Sequence, residues 1–135
     1  MLRLPPTPLV SRVLEGNDSP ILFKMDCHQP TGSFKIRGMN DLVRHEVGQG
    51  NRLFVASSGG NAGYSLAYAA RAYGAQCQVI VPATTNARMQ DMIREQGADV
   101  QVVGKDWNDA DRYARRMAEE RKAVYVSPFD HERLW

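Results

Sequence analysis

The feature that most constrains the fold of this 135-residue sequence is a regular alternation of short apolar runs with longer helical segments. The predicted strands cover residues 21–25, 52–56, 77–81, 100–103 and 123–126, and the predicted helices cover residues 35–47, 61–73, 86–96 and 107–118. Strands separated by helices of this length favour parallel pairing, with right-handed crossovers that place helices over both faces of the sheet. The sequence therefore predicts an α/β fold: a parallel open sheet with helices on both faces, in three αβα layers.

A lysine follows the first predicted strand, after a short polar turn. Pro30 and Gly32 mark the turn. Ser33 is a suitable N-cap for the next helix, and Lys35 falls in its first turn. The positive end of a helix dipole disfavours an ammonium group, and the neutral amine is the form that attacks a carbonyl. Lys35 is therefore a candidate for Schiff-base chemistry, and the alternative is an ordinary solvated helix lysine.

A second polar turn follows the strand at residues 52–56. It reads Ser57-Ser58-Gly59-Gly60-Asn61 and leads into an alanine-rich helix. Glycines let a ligand approach the main chain, and the first N–H groups of a helix can face an anion. This loop is a candidate carboxylate site. The alternative is purely structural, because many strand-to-helix turns use glycine, serine and asparagine to cap the helix.

Nucleotide-binding patterns do not fit this loop. The dinucleotide fingerprint requires glycine at positions i, i+2 and i+5. The residue two positions after Gly59 is Asn61, and the residue two positions after Gly60 is Ala62. The sequence also contains no Gly-Lys-Ser or Gly-Lys-Thr of a P-loop. A nucleotide-binding domain is therefore a weak alternative.

Taken together, Gly-Ser-Phe-Lys at residues 32–35 and Ser-Ser-Gly-Gly-Asn-Ala-Gly at residues 57–63 resemble the fold-type-II pyridoxal-phosphate enzymes. The closest resemblance is to the serine/threonine dehydratases, with threonine synthases and cysteine synthases left open. Residues 7–9, 97–100 and 128–131 extend this resemblance over most of the chain. The resemblance implies that Lys35 forms the Schiff base with pyridoxal 5'-phosphate and that Phe34 and Asn61 contact the cofactor. It also implies substrate binding by Ser57, Ser58, Gly59, Gly60 and Asn61.

The implied reaction is β-elimination of L-serine or L-threonine to a 2-oxo acid and ammonia, with Lys35 removing the α-proton. The resemblance divides the chain into an N-terminal segment (1–33), a small α/β domain (34–126) and a return segment (127–135). In the family, a glycine-rich loop for the cofactor phosphate lies later, and no glycine follows Gly104 here. We therefore expect this chain alone to be weakly active or inactive. The alternative is a non-catalytic, self-associating fragment, with Phe129, Leu134 and Trp135 exposed.

Composition excludes other classes of function. The net charge of +2 comes from 17 basic and 15 acidic residues, without a basic tract typical of nucleic-acid binding. Cys27, Cys77 and the three histidines lack metal-ligand spacing, so no metal is expected. The sequence has no run long enough to span a membrane and no signal-peptide pattern at its start. The expected location is the cytoplasm, and the expected partner is a small amino acid.

Overall fold

The computed structural model describes residues 2–134. In chain order, its elements are β1 (Leu9–Arg12), β2 (Ile21–Lys24), α1 (Lys35–Gly48), β3 (Leu53–Ser57), α2 (Asn61–Ala72), β4 (Gln76–Val81), α3 (Ala87–Glu95), β5 (Asp99–Val102), α4 (Trp107–Arg121) and β6 (Val124–Tyr125). Single 3₁₀ turns cover Asp26–His28 and Glu132–Leu134. Each predicted helix is present, with ends that differ from the predicted ones by a few residues.

The central sheet has parallel strands in the order β5-β4-β3-β6. β3 pairs with β4 on one side and with β6 on the other, so that Val55 lies between Gln78 and Tyr125. The chain passes from β3 to β4 to β5 in one direction, and α4 then returns it to the far side of β3. Strand order therefore reverses between β3 and β6. Ligands of open α/β sheets bind at such a reversal, beyond the carboxyl ends of the strands.

Helices cover both faces of this sheet, as predicted. Phe54 and Ala56 of β3 pack into the core that includes α1, α2 and α3, whereas Val55 between them packs against α4. The α4 contacts on that face are small residues, including Ala110 and Ala114. Because successive strand residues point to opposite faces, β3 contributes to both cores and is buried on both sides. The three-layer αβα arrangement is confirmed.

The first predicted strand lies outside the parallel sheet. β2 pairs with β1 as an antiparallel hairpin in which Val10 is opposite Phe23. All four residues of β2 are exposed, unlike the central strand β3 of the parallel sheet, in which only Leu53 is not buried. A tendency to form a strand does not select a partner, and a hairpin needs only a neighbouring segment rather than a crossover. The expectation that the lysine turn follows a strand of the parallel sheet is therefore wrong.

The start of α1 also differs from the prediction. Phe34 occupies the N-cap position with helical backbone angles, and no side chain caps this end of the helix. The Ser33 hydroxyl is buried and has no hydrogen-bond partner among residues 2–134. Because Phe34 is already helical, Ser33 lies one position too early to be the cap. The Ser33 cap is thus wrong, whereas Lys35 begins α1 as predicted.

A polar cluster fastens the hairpin to α1. Arg37 donates two hydrogen bonds of 2.8 Å to the Asp26 carboxylate, and the Thr7 hydroxyl donates a third of 2.6 Å. The bonds from Arg37 and Thr7 hold the pKa of Asp26 well below its usual range. Lys24 of β2 donates to the backbone carbonyl of Thr7.

The division of the chain into segments of residues 1–33, 34–126 and 127–135 stays a prediction.

Candidate active site

Lys35 is held where the strand order reverses. Its Nζ donates a 2.9 Å hydrogen bond to the backbone carbonyl of Pro128, which follows β6. The amine also lies 5.2 Å from the centre of the Phe34 ring. Phe34 is 54% exposed, so a flat aromatic surface beside the lysine faces outward. The lysine is therefore brought to the carboxyl edge of the sheet by a contact with the far end of the chain, and not by β2.

The predicted carboxylate loop lies on the neighbouring strand at the same edge. Ser58, Gly59 and Gly60 connect β3 to α2, and Asn61 is the exposed first residue of α2. Gly60 is the N-cap and has no side chain to cap the helix. The first N–H groups of α2 are therefore left to water or to a ligand. The fold brings both predicted motifs to the carboxyl ends of two adjacent strands, β3 and β6.

Two glycines of the motif are needed for close packing. A Cβ at Gly59 would lie 2.4 Å from the Thr85 hydroxyl oxygen. A Cβ at Gly63, in the first turn of α2, would lie 2.1 Å from the Ser58 carbonyl oxygen. Gly60 differs, because nothing lies within 4 Å of the position its Cβ would take. The loop is thus packed tightly at both ends and leaves open space in the middle, at Gly60.

Ser57 does not present its hydroxyl to this open space. The side chain is fully buried, and its Oγ donates a 2.6 Å hydrogen bond to Oδ1 of Asp111 on α4. The Ser57 carbonyl accepts a 2.8 Å hydrogen bond from the Trp107 indole. Substrate binding by Ser57 stays a prediction, and its hydroxyl is already committed to Asp111. The other four predicted loop residues, at positions 58–61, remain partly or fully exposed.

Asp111 is a buried carboxylate that sequence reasoning missed. It accepts hydrogen bonds from Ser57, from the Tyr125 hydroxyl and, at 2.7 Å, from the Arg115 guanidinium. Burial alone raises the pKa of this carboxyl, but the hydrogen bonds from Arg115, Ser57 and Tyr125 outweigh that effect and lower it. Burial and the bond to Asp111 raise the pKa of Tyr125 to about 12. No local motif marks this cluster, because its members come from three separate elements.

A cavity of about 780 Å³ lies beside Phe34, between α1 and the C-terminal 3₁₀ turn. Five of its eight lining residues are charged, and the full lining consists of Asp26, Phe34, Arg37, Gly38, Asp41, Glu132, Arg133 and Leu134. Of the predicted site residues, Phe34 alone contributes to this lining. Leu134 packs against α1 and is partly buried, which corrects the expectation that it is exposed. Trp135 lies outside the described residues.

Within residues 2–134, no group of three or more histidine, cysteine or acidic side chains is placed to hold a metal ion. No helix in the same range is both long and apolar enough to cross a membrane.

Comparison with known proteins identifies relatives of this chain. A family model described as "Pyridoxal-phosphate dependent enzyme" matches residues 2–135. The L-serine dehydratase/L-threonine deaminase of Mus musculus is 43% identical over 116 residues, which cover 85% of this chain and 36% of the relative. An L-serine dehydratase of Saccharomyces cerevisiae is 40% identical, covering 96% of this chain and 42% of the relative. The chain thus spans about two fifths of the length of these curated relatives.

Solved structures agree with the fold. A fungal L-serine ammonia-lyase from Rhizomucor miehei superposes with a TM-score of 0.89 at 31% identity, over 98% of this chain and 43% of that one. A pyridoxal 5'-phosphate-dependent aspartate racemase also has a TM-score of 0.89, at 26% identity, over 97% of this chain and 42% of that one. Both structures share the arrangement described above, although one protein is named an ammonia-lyase and the other a racemase.

Proposed function

Because this chain belongs to the family of pyridoxal-phosphate dependent enzymes, we propose that it carries the reactive lysine and the substrate loop of an L-serine/L-threonine ammonia-lyase. The products are a 2-oxo acid and ammonia. The observation that carries the proposal is the placement of the Lys35 amine at the Pro128 carbonyl, beyond the carboxyl end of β6. The names of the dehydratase and deaminase relatives support the choice of substrates.

The residues at this edge fit pyridoxal phosphate, which is a flat, anionic aldehyde. Lys35 offers an amine to the aldehyde, and the exposed Phe34 ring beside it offers a flat surface to the pyridine ring. Asn61 is exposed at the start of α2 and can donate a hydrogen bond from its amide. When bound, the cofactor supplies an electron sink for the carbanion chemistry. These three residues are the proposed cofactor contacts.

The loop at residues 57–61 is proposed to bind and orient the amino acid through its carboxylate. The uncapped N–H groups at the start of α2 and the Ser58 hydroxyl are the donors that a carboxylate requires. Gly59 and Gly60 let the carboxylate come close to the main chain, and the open space at Gly60 gives it room. Since the Ser57 hydroxyl donates to Asp111 and its carbonyl accepts from Trp107, Ser57 could reach a carboxylate only through its backbone N–H.

Lys35 is also proposed to take the α-proton at its Nζ. A neutral amine that donates one hydrogen to the Pro128 carbonyl directs its lone pair away from that oxygen. The hydrogen bond therefore orients the amine for attack or for proton transfer, and a positioned lysine is a suitable general base. The Phe34 ring, whose centre lies 5.2 Å from the amine, presents an aromatic surface on that side of it.

The proposed cofactor contacts address the aldehyde and the ring, whereas none of them is a typical phosphate site. We therefore propose that the chain alone binds the cofactor weakly and has little or no lyase activity. A cytoplasmic location is proposed together with this activity.

The experiment that tests the role of Lys35 incubates the chain with pyridoxal phosphate, adds borohydride to fix the cofactor covalently, and locates the label by peptide mass spectrometry.

We expect the label at Lys35 and little at Lys24, Lys105 or Lys122. Lys35→Ala should remove it, whereas the matched control Lys105→Ala, which changes an exposed lysine, should retain it. A label spread over all lysines, and unchanged in total by Lys35→Ala, would contradict the proposed role. Production of pyruvate from L-serine, measured in parallel, should be close to the rate with free cofactor.

A second candidate function is self-association without catalysis. The β1–β2 hairpin exposes apolar side chains, with Leu9 60% and Leu22 62% exposed. Exposed apolar patches favour association with other surfaces. Light scattering should then give a mass that rises with concentration and falls in Leu22→Ser, but not in Val102→Ser on another exposed strand. A constant monomer mass would exclude this second function.

A further inference from the structure

The strands that lead into the two parts of the candidate site are joined by only a short backbone ladder. β3 and β6 pair at Phe54 with Val124 and at Val55 with Tyr125, and the Val126 N–H donates to the Val55 carbonyl. Ser57 lies beyond these pairs, at the end of β3. The segments that follow the two strands, the Ser58–Gly60 loop and Ser127–Pro128, therefore need another connection to hold a fixed separation.

Asp111 supplies that connection from α4. Oδ1 of its carboxylate accepts from the hydroxyls of Ser57 and Tyr125, which are the last residues of β3 and β6. One oxygen atom thus joins the ends of both strands. Asp111 is only 8% exposed, so water competes little for these bonds.

The second oxygen of Asp111 is also engaged. Oδ2 accepts the 2.7 Å hydrogen bond from Arg115, one turn further along α4. The Arg115 guanidinium lies 4.3 Å from the centre of the Tyr125 ring. Arg115 therefore compensates the buried negative charge and packs on one of the two hydroxyl-bearing residues. An asparagine at position 111 could keep one acceptor, but it would turn its NH₂ donors towards Arg115.

The same helix makes a second contact with both segments. Trp107 lies one turn before Asp111 and donates to the Ser57 carbonyl. Its ring meets that of Phe129 edge-on, with 5.2 Å between the ring centres. Phe129 immediately follows Pro128, the residue that accepts the Lys35 hydrogen bond. α4 is thus tied to the chain on both sides of the site by Trp107 as well as by Asp111.

We propose that Asp111 is a positioning residue that fixes the carboxylate loop at residues 58–61 relative to the Pro128 carbonyl and hence to Lys35. This inference rests on the proposed function for its catalytic meaning. The fixed separation between the loop and Pro128 is a property of the chain without cofactor, and it can be tested independently of the proposed function. A positioning role is thereby assigned to α4, which covers the face of the sheet opposite to α1, α2 and α3.

The test compares Asp111→Asn and Tyr125→Phe with Asp91→Asn, which changes an exposed aspartate that is also paired with an arginine on its own helix. The first measurement is the backbone ¹H–¹⁵N spectrum of the chain without cofactor. The second is the rate at which pyridoxal phosphate is fixed at Lys35 by borohydride. Thermal unfolding reports separately on stability.

We expect both variants of the cluster to shift the amide signals of Gly59, Gly60 and Phe129, and Asp91→Asn to leave them unchanged. The rate of fixation at Lys35 should fall about tenfold, as for the loss of one hydrogen bond to a charged group. Signals that move only within α4, or an unchanged rate of fixation, would overturn the inference. If Asp111→Asn does not fold, Tyr125→Phe decides the outcome, because it removes one hydroxyl and keeps the ring.

The two proposals fail in different ways. Absence of a Lys35-specific label in the unmodified chain contradicts the proposed function, and the amide signals then still decide whether Asp111 couples the two segments. A Lys35-specific label whose rate is insensitive to Asp111 and Tyr125 leaves the proposed function intact and refutes the positioning role.

Discussion

Replacing Gly63 with alanine should destabilise this protein, although a glycine-to-alanine change at an open position in a helix usually stabilises a protein. Gly63 is buried in the first turn of α2. An added Cβ would lie 2.1 Å from the Ser58 carbonyl oxygen and 3.0 Å from a methyl carbon of Val79. The first contact is with main chain, so relief requires the Ser58 loop or the start of α2 to move.

The magnitude follows from two opposing effects. Alanine in a helix is favoured over glycine by about 1 kcal/mol. Forcing a methyl group into a packed site costs about 1–3 kcal/mol, and the collision with the Ser58 carbonyl places Gly63 at the upper end of that range. The net loss of unfolding free energy should be about 2 kcal/mol. For a domain of this size the melting temperature should fall by about 5–8 °C.

Urea and thermal unfolding followed by circular dichroism measure this loss, and Gly48→Ala is the matched control. Gly48 ends α1 and has nothing within 4 Å of its Cβ position, so the control should be neutral or slightly stabilising. A Gly63→Ala protein that is as stable as the unmodified chain would refute the packing argument. Movement of the loop should also slow fixation of pyridoxal phosphate at Lys35.

Two further predictions concern the same region. Gly59→Ala should disturb the loop at residues 58–61, because the added Cβ would collide with the Thr85 side chain. Adding Thr85→Gly to this variant should restore the loop amide signals and part of the stability. A double variant that is no better than Gly59→Ala would exclude the contact with Thr85 as the cause. The lowered pKa of Asp111 stabilises the fold above the pKa of an unfolded aspartate, about 4, and this contribution is lost as the pH falls below it. The difference in urea stability between the unmodified chain and Asp111→Asn should therefore shrink between pH 6 and pH 3, and a constant difference would contradict the assignment.

The layers of the fold could be predicted because each one leaves a local pattern. Helix α1 carries Ile36, Met39 and Val43 on a single face, and all three are buried. The position of Lys35 at the start of α1 followed in the same way from its turn. Pairing between strands has no comparable local signal, which is why β2 was assigned to the wrong sheet. Its partner β1 lies nearby in sequence and pairs with β2 in an antiparallel hairpin.

The orientation of Ser57 could not be predicted for a related reason. β3 is buried on both faces, so its sequence Leu-Phe-Val-Ala-Ser lacks the polar and apolar alternation that would show which side chains share a face. In the structure, Ser57 shares the face of Val55 and meets α4. Its partner Asp111 is 54 residues away and looks like one of many charges on an exposed helix. Side-chain networks of this kind depend on the assembled layers.

The contact between Lys35 and Pro128 joins residues that are 93 positions apart. During synthesis, which proceeds from the N-terminus, α1 emerges long before β6 can add to the sheet. Contacts between distant residues form only after the intervening loop has been closed, which makes them late and slow. The lysine of a nascent or partly folded chain therefore lacks the carbonyl that orients it. The orientation proposed for the Lys35 amine is therefore reached only after β6 has joined the sheet.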